Sequence, residues 1–306
     1  MRVFACDHLE IKLPEQHRFP IQKYSLLRKR VQNLKPVKIC YPMTPTRSIL
    51  SRVHSNEYID KIFKGELSTK ELQSIGFPWS TELVQRSLYS VGCTISAAIE
   101  SIKGKLSCSL AGGTHHAGYD HGDGFCVFND VAIAVSLLRA KYPAMKILVV
   151  DTDVHQGNGT ADLLANLSDV FTLSLHSARN YPHKKSHSNI DVSFPDGTLD
   201  NHYIRVFSDA LDEAIKSSKA DFVFFLAGAD VFSGDRLGRL NLSKEGIKRR
   251  DDLFFSKFDL NETKITVVMG GGYAINIEDI VDIHLGTIES AVKSLYGSVD
   301  VPIYNW

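Results

Sequence analysis

The sequence predicts an α/β protein of three layers, with a mostly parallel sheet held between two layers of helices. The first observation behind this is alternation: short, β-branched apolar runs recur along the chain, separated by longer segments of helical period. The second is that several of these runs, ILVV, FVFFLA and ITVVM among them, are apolar nearly throughout, as strands covered on both faces are. The third is where the polar, glycine-rich segments fall. They follow the apolar runs, and α/β sheets bind ligands beyond the carboxyl ends of their strands.

Taken in order, a helix over Thr81–Ile102 precedes a strand over Lys105–Ala111, which leads into GGTHHAGYDHGDGFC. The next helix, Asn129–Lys141, opens on Asn-Asp, a good N-cap signal. The strand Lys146–Asp151 runs into DTDVHQGNG, and Val170–Leu175 runs into His176 and the segment through Tyr181. A helix over Asp200–Ser218 is followed by the strand Phe222–Ala227 and GADVFSGDRLG. A helix over Lys244–Phe258, the strand Ile265–Met269 with GGGY after it, and a helix over Glu278–Leu295 complete the series. The chain has no internal repeat, no low-complexity stretch and no linker long enough to mark a boundary, so a single domain over 1–306 is expected.

Composition narrows the function. Of 306 residues, 43% are hydrophobic and 23% charged, an ordinary globular balance. Lys plus Arg number 35, as do Asp plus Glu, which argues against nonspecific nucleic-acid binding and electrostatic membrane attachment. The five cysteines are odd in number and lack CxxC spacing, so neither a disulfide framework nor a cysteine zinc site is expected, and reduced thiols are. The opening MRVFACDHLE carries acids too early for a signal peptide. No apolar run approaches the ~18 residues of a membrane helix. The expectation is a soluble cytoplasmic protein, or a nuclear one if the source is eukaryotic.

Asp153 and His155 stand two apart at a strand end, and in extended chain such residues point to the same side. Asp230 follows another apolar strand and can approach the same ion. Three protein ligands with an open position is the catalytic zinc pattern, although one histidine with two carboxylates also suits iron(II). An isolated DxH pair is equally an ordinary helix cap, and only its company makes it informative. That company includes His115 and His116 after Gly112-Gly113-Thr114, suited to proton transfer near neutral pH. Asp151 and Asn158 are candidate orienting partners; a neutral Asn raises its histidine less than a carboxylate does, which leaves room for the two histidines to differ in protonation. Tyr273, after Gly270-Gly271-Gly272, is placed to donate to a developing oxyanion.

Together AGGTHHAGYDHGDGFCVFNDVAIA, VVDTDVHQGNGT, LAGADVFSGDRLG and MGGGYA resemble, in order and spacing, the arginase/deacetylase superfamily and within it the histone deacetylases. The resemblance runs from about Arg18 to Tyr273, and GDRLGRLNLSKEGIKRRDDLFF is most similar to class IV members and their bacterial relatives. It implies a single eight-stranded sheet of the arginase/deacetylase fold. It implies one zinc per chain on Asp153, His155 and Asp230, His115 and His116 as the catalytic pair, and Tyr273 as oxyanion donor. It further implies a tunnel lined by Gly124 and Phe125 with Tyr181 opposite, and Arg18 near an inner acetate pocket. A structural potassium would lie on Asp151, Asp153, His155, Ser174 and Leu175, mainly through main-chain oxygens. The better-known members have aspartate where Asn158 stands, which bears on rate and pH optimum. Cys126, beside the tunnel glycine, reads as a packed small residue first and a redox-sensitive thiol second.

The reaction implied is hydrolysis of acetyl or longer acyl groups from lysine side chains of proteins or peptides. An acetylpolyamine or other small-molecule amidohydrolase is the alternative. Polyamine deacetylases of this family carry an acidic gate, and the matching position here is Leu237. A two-metal ureohydrolase would need further carboxylates where Gln156-Gly157 and Phe232 stand. A nonenzymatic acyl-lysine binder would be expected to have lost a ligand, histidine or tyrosine, and the set is intact.

Overall fold

A computed structural model of the chain describes residues 1–9 and 11–297; the remaining residues of the expected domain, including 298–306, lie outside the described part. The strands are β1 (Arg2–Phe4), β2 (Lys38–Cys40), β3 (Leu106–Ser109), β4 (Ile147–Asp151), β5 (Val170–Ser177), β6 (Ile190–Phe194), β7 (Phe222–Gly228) and β8 (Lys264–Gly270). The helices are α1 (Lys23–Val31), α2 (Arg47–Leu50), α3 (Asn56–Lys64), α4 (Thr69–Ile75), α5 (Thr81–Gly104), α6 (Asp130–Lys141), α7 (Asn158–Leu164), α8 (Asp200–Ser218), α9 (Lys244–Ser256) and α10 (Ile277–Tyr296).

The eight strands form one sheet in the order β2-β1-β3-β8-β7-β4-β5-β6. Every pairing in it is parallel, so the expected mostly parallel sheet is wholly so. Side-chain alternation then dictates the layers. On β4, Leu148 and Val150 join a core with Leu27 of α1, Phe207 of α8, Phe254 of α9 and Val281 of α10. Their neighbours Ile147 and Val149 join the opposite core, with Ile59 of α3, Leu83 of α5 and Val131 of α6. Both faces are therefore dry, which is why the central strands read as unbroken apolar runs.

The five expected strands and five expected helices all form, with ends shifted by a few residues at most. The shorter elements carry weaker signals. β1 and β2 are three residues each, and β6 lies at the sheet edge with alternate residues partly exposed. Among the described residues no helix is long and apolar enough to cross a membrane.

Local chemistry fixes the strand ends that matter. Asn129 caps α6 by accepting the N–H of Ala132 at 2.9 Å. Ser243 caps α9 through the N–H of Gly246, also at 2.9 Å. From α9 the buried Arg250 donates to the carbonyl of Gly228 at 2.6 Å and pairs with Asp251 at 2.8 Å, bracing the end of β7 two residues before Asp230.

Candidate active site

The carboxyl ends of β3, β4, β7 and β8 face one cavity of about 360 Å³. The turn after β3 is built on glycine: Gly112 and Gly113 have φ of +93° and +67°, a region costly for L side chains. Buried Asp130 holds that turn. Its carboxylate accepts the N–H groups of Gly113 at 3.1 Å and Thr114 at 2.8 Å and the hydroxyl of Thr114 at 2.7 Å. His115 and His116 follow, with ring centroids 4.2 Å apart.

The two rings have different partners. His115 donates from Nδ1 to Asp151 at 2.7 Å, while Nδ1 of His116 meets Oδ1 of Asn158 at 2.6 Å. Burial pulls the pKa of His115 down, but Asp151 and Asp153 outweigh it and lift it to about 9. His116 is driven well below the usual histidine value by burial and by the charges of His115 and His155. The two neighbouring rings are thus pushed in opposite directions, His115 up and His116 down. Because the Asn158 oxygen can only accept, His116 carries its proton on Nδ1 and leaves Nε2 free.

Asp153, His155 and Asp230 bring one donor atom each to within 4.8 Å of one another. Nδ1 of His155 lies 2.9 Å from Oδ1 of Asp153 and 3.3 Å from Oδ2 of Asp230. The other Asp230 oxygen accepts the N–H of Val154 at 2.9 Å, but the buried Oδ2 accepts no hydrogen bond. A buried carboxylate oxygen without a donor is costly, and a cation among these groups would satisfy it. Burial and the charge of Asp153 push Asp230 up to about 7 against the pull of His155. One nitrogen and two carboxylates is a donor set for zinc or iron(II). The cradle is tight: a Cβ at Gly271, whose φ is +59°, would stand 2.2 Å from Oδ2 of Asp230.

Tyr273 is buried, and burial raises its phenol well above the usual value, leaving it neutral and able to donate. Its N–H donates to Asp235 at 2.6 Å and its carbonyl accepts from Arg236 at 2.9 Å, so the backbone after the glycine run is pinned. Gly124, Phe125, Tyr181 and Leu237 all line the cavity. The Phe125 ring lies 5.7 Å from that of Tyr273, and the Tyr181 ring stands edge-on to His116 at 5.1 Å. The Tyr181 hydroxyl donates to Asp123. Ser174 and Leu175 are buried on β5, with Ser174 in register beside Asp151.

One expectation is corrected. Arg18 does not line the cavity: its side chain is exposed, and its carbonyl accepts from Arg236. A buried cation that does line the cavity is Lys23, at the start of α1. Its ammonium donates to the carbonyls of Gly271 at 2.5 Å and Gly272 at 3.1 Å and lies about 5 Å from the rings of Phe19 and Tyr273. Burial lowers its pKa to about 8, against the pull of Asp230, Asp235 and Asp153. Phe19 and Phe77 also line the cavity, and Asn180 contacts both Nε2 of His155 at 3.4 Å and the Leu237 carbonyl at 2.5 Å. None of Lys23, Phe19, Phe77, Asn180 or Asp130 directly follows a glycine run, the signal that marked His115, His116 and Tyr273.

A family model described as the histone deacetylase domain matches residues 15–288. An uncharacterised protein of Picosynechococcus sp. is 39% identical over 93% of this chain and 95% of its own. Histone deacetylase 2 of Arabidopsis thaliana is 28% identical over 78% of this chain and 64% of its own length. The acetoin utilization protein AcuC of Staphylococcus xylosus is 26% identical over 89% and 77%. The crystal structure of the HDA15 HD domain superposes with a TM-score of 0.77 at 22% identity, covering 97% of this chain and 94% of that one, which bears on fold. With the domain match spanning nearly the whole length, the chain belongs to the histone deacetylase family.

Proposed function

We propose that this chain is a zinc-dependent deacylase that hydrolyses the side-chain amide of acyl-lysine in proteins or peptides. Family membership supports a hydrolase. The observation that carries the finer reading is the convergence of Asp153, His155 and Asp230, the first two lining an aromatic-walled cavity, beside two histidines pushed in opposite directions.

Asp153, His155 and Asp230 would hold one zinc, and the donor-free oxygen of Asp230 fits that role. When bound, zinc supplies Lewis-acid polarisation of the amide carbonyl and acidifies the attacking water. Phe19, Phe125 and Tyr181 offer apolar walls to the methylene stem of the substrate lysine. His116 takes the water proton at its free Nε2 and returns one to the departing amine. His115, held by Asp151, stays cationic and favours the negative charge that develops beside it. Tyr273 donates to the oxyanion, a contribution of about 3–4 kcal/mol per donor. A potassium ion on the main-chain oxygens of Asp151, Asp153, His155, Ser174 and Leu175 belongs to the same reading, supported by the register that sets Asp151 beside Ser174. So do class IV character, carried by the stretch from Gly234 to Phe255, and a cytoplasmic location.

A small-molecule amide is the second reading, supported by the relatives named as acetoin utilization proteins. The test is one panel: lysine peptides with acyl chains from acetyl to myristoyl and acetylated polyamines, each with and without chelator. Acid released from peptides and lost with chelator supports the first reading, and turnover of polyamines alone supports the second. If every amide stays intact in the metal-loaded protein, both fail.

A further inference from the structure

We infer that the mouth of the tunnel selects acyl-lysines flanked by acidic residues. The inference rests on the deacylase reading and adds its substrate class. Arg179, His183 and Arg239 line the cavity together with Tyr181 and Leu237. The side chains of Arg179 and Arg239 are 73% and 50% exposed, and their Nη1 atoms approach the same oxygen of Asp196, at 3.4 and 3.2 Å. One carboxylate cannot neutralise two guanidiniums, so the pair keeps a net positive charge and spare donors suited to carboxylates.

The loop between β5 and β6 adds to this charge. From Arg179 to Asn189 it carries Lys184 and Lys185 and no acid. Lys184 is exposed, and Lys185 is held to the carbonyls of Asn180 and Pro182, so neither is consumed by a salt bridge among the described residues. Two acids at this end are held by the protein's own donors. Asp123 accepts from the Tyr181 hydroxyl and the Gly124 N–H, and Asp235 accepts the N–H groups of Tyr273, Leu237 and Gly238. Among the described residues that line the cavity, the sole carboxylate is Asp153, in the metal-ligand cluster.

Acylation removes the charge of the substrate lysine, so the residues on either side of it set the electrostatics of docking. A rim of this sign attracts Glu or Asp at those positions and repels Lys, Arg and polyamine chains. The expected substrate is therefore an acyl-lysine in an acidic surface segment rather than in a basic tail.

The experiment compares three peptides with the same acyl-lysine, flanked by Glu, Ser or Arg, on the metal-loaded protein. At low salt kcat/KM should fall from Glu to Ser to Arg, roughly tenfold or more between the extremes. The spread should shrink toward unity near ~0.5 M salt. Binding of labelled peptides to Tyr273→Phe, read by fluorescence anisotropy, should follow the same order and separates recognition from chemistry. In Arg179→Gln/Arg239→Gln the Glu-to-Arg ratio should collapse; if that variant misfolds, the salt series on the unaltered protein decides. Equal or reversed preference at low salt overturns this inference and leaves the deacylase reading standing. Hydrolysis of none of the three, nor of any other acyl-lysine peptide, overturns both.

Discussion

Acid should weaken the fold through His54. His54 is buried and used on both sides of its ring: Nδ1 donates to the carbonyl of Gly118 at 2.8 Å, and Nε2 accepts the N–H of Asn129 at 3.0 Å. Protonation would set an N–H against that N–H. Asn129 in turn caps α6 and donates to the Ala117 carbonyl at 3.2 Å, directly after His116. Burial lowers the His54 pKa from 6.5 to about 4. Between these values the unfolded chain binds more protons than the folded one, so stability rises with pH across the window and is lost as pH falls from 6.5 toward 4. At 1.36 kcal/mol per pH unit, acidification from 7.5 to 5 should remove about 2 kcal/mol through this residue alone. His176 and His284, lowered by burial to about 4 and about 3, add to the total, so the assay must isolate His54. Urea unfolding of the wild type and of His54→Gln at pH 7.5 and pH 5 does so. The variant starts less stable but should lose about 2 kcal/mol less on acidification. An equal loss in both proteins would refute the argument.

Three further outcomes follow from the site. Tyr273→Phe should cut turnover by about two to three orders of magnitude while metal content, measured by mass spectrometry, is unchanged. Gly271→Ala places a methyl against Asp230 and adds about 1–2 kcal/mol of backbone strain. It should drop metal below one ion per chain while leaving the far-UV circular dichroism native. Asp130→Ala strands the donors of Gly113, Thr114 and the buried Thr94 and should cost about 2–4 kcal/mol, seen as a fall of several degrees in Tm, with Asp130→Asn less severe.

What the sequence reveals follows burial. The runs at Ile147–Asp151 and Phe222–Gly228 are visible because both faces are covered, so nothing polar interrupts them. β6 is hidden because half its side chains meet solvent, and β1 and β2 are too short to show a period. The site is visible wherever a functional side chain hangs from a strand end, as Asp153, His155, Asp230 and Tyr273 do. It is invisible where a residue acts from elsewhere. Lys23 stands in a helix rich in Arg and Lys and reads as solvated, yet the fold turns it onto the carbonyls of Gly271 and Gly272. Asp130, first in α6 after the Asn129 cap, reads as a helix-favouring acid, and nothing in the sequence shows that the turn before His115 hangs on it.

The wholly parallel sheet divides the molecule into a working rim and an idle one. Every strand delivers its carboxyl end to the same side, so the turns entering β5, β7 and β8, around Asp169, Asp221 and Glu262, lie at the far rim. New chain ends, reporter peptides or surface tethers engineered there would leave four separate anchor points of the chemistry untouched. That makes the far rim the place to permute, label or immobilise this protein.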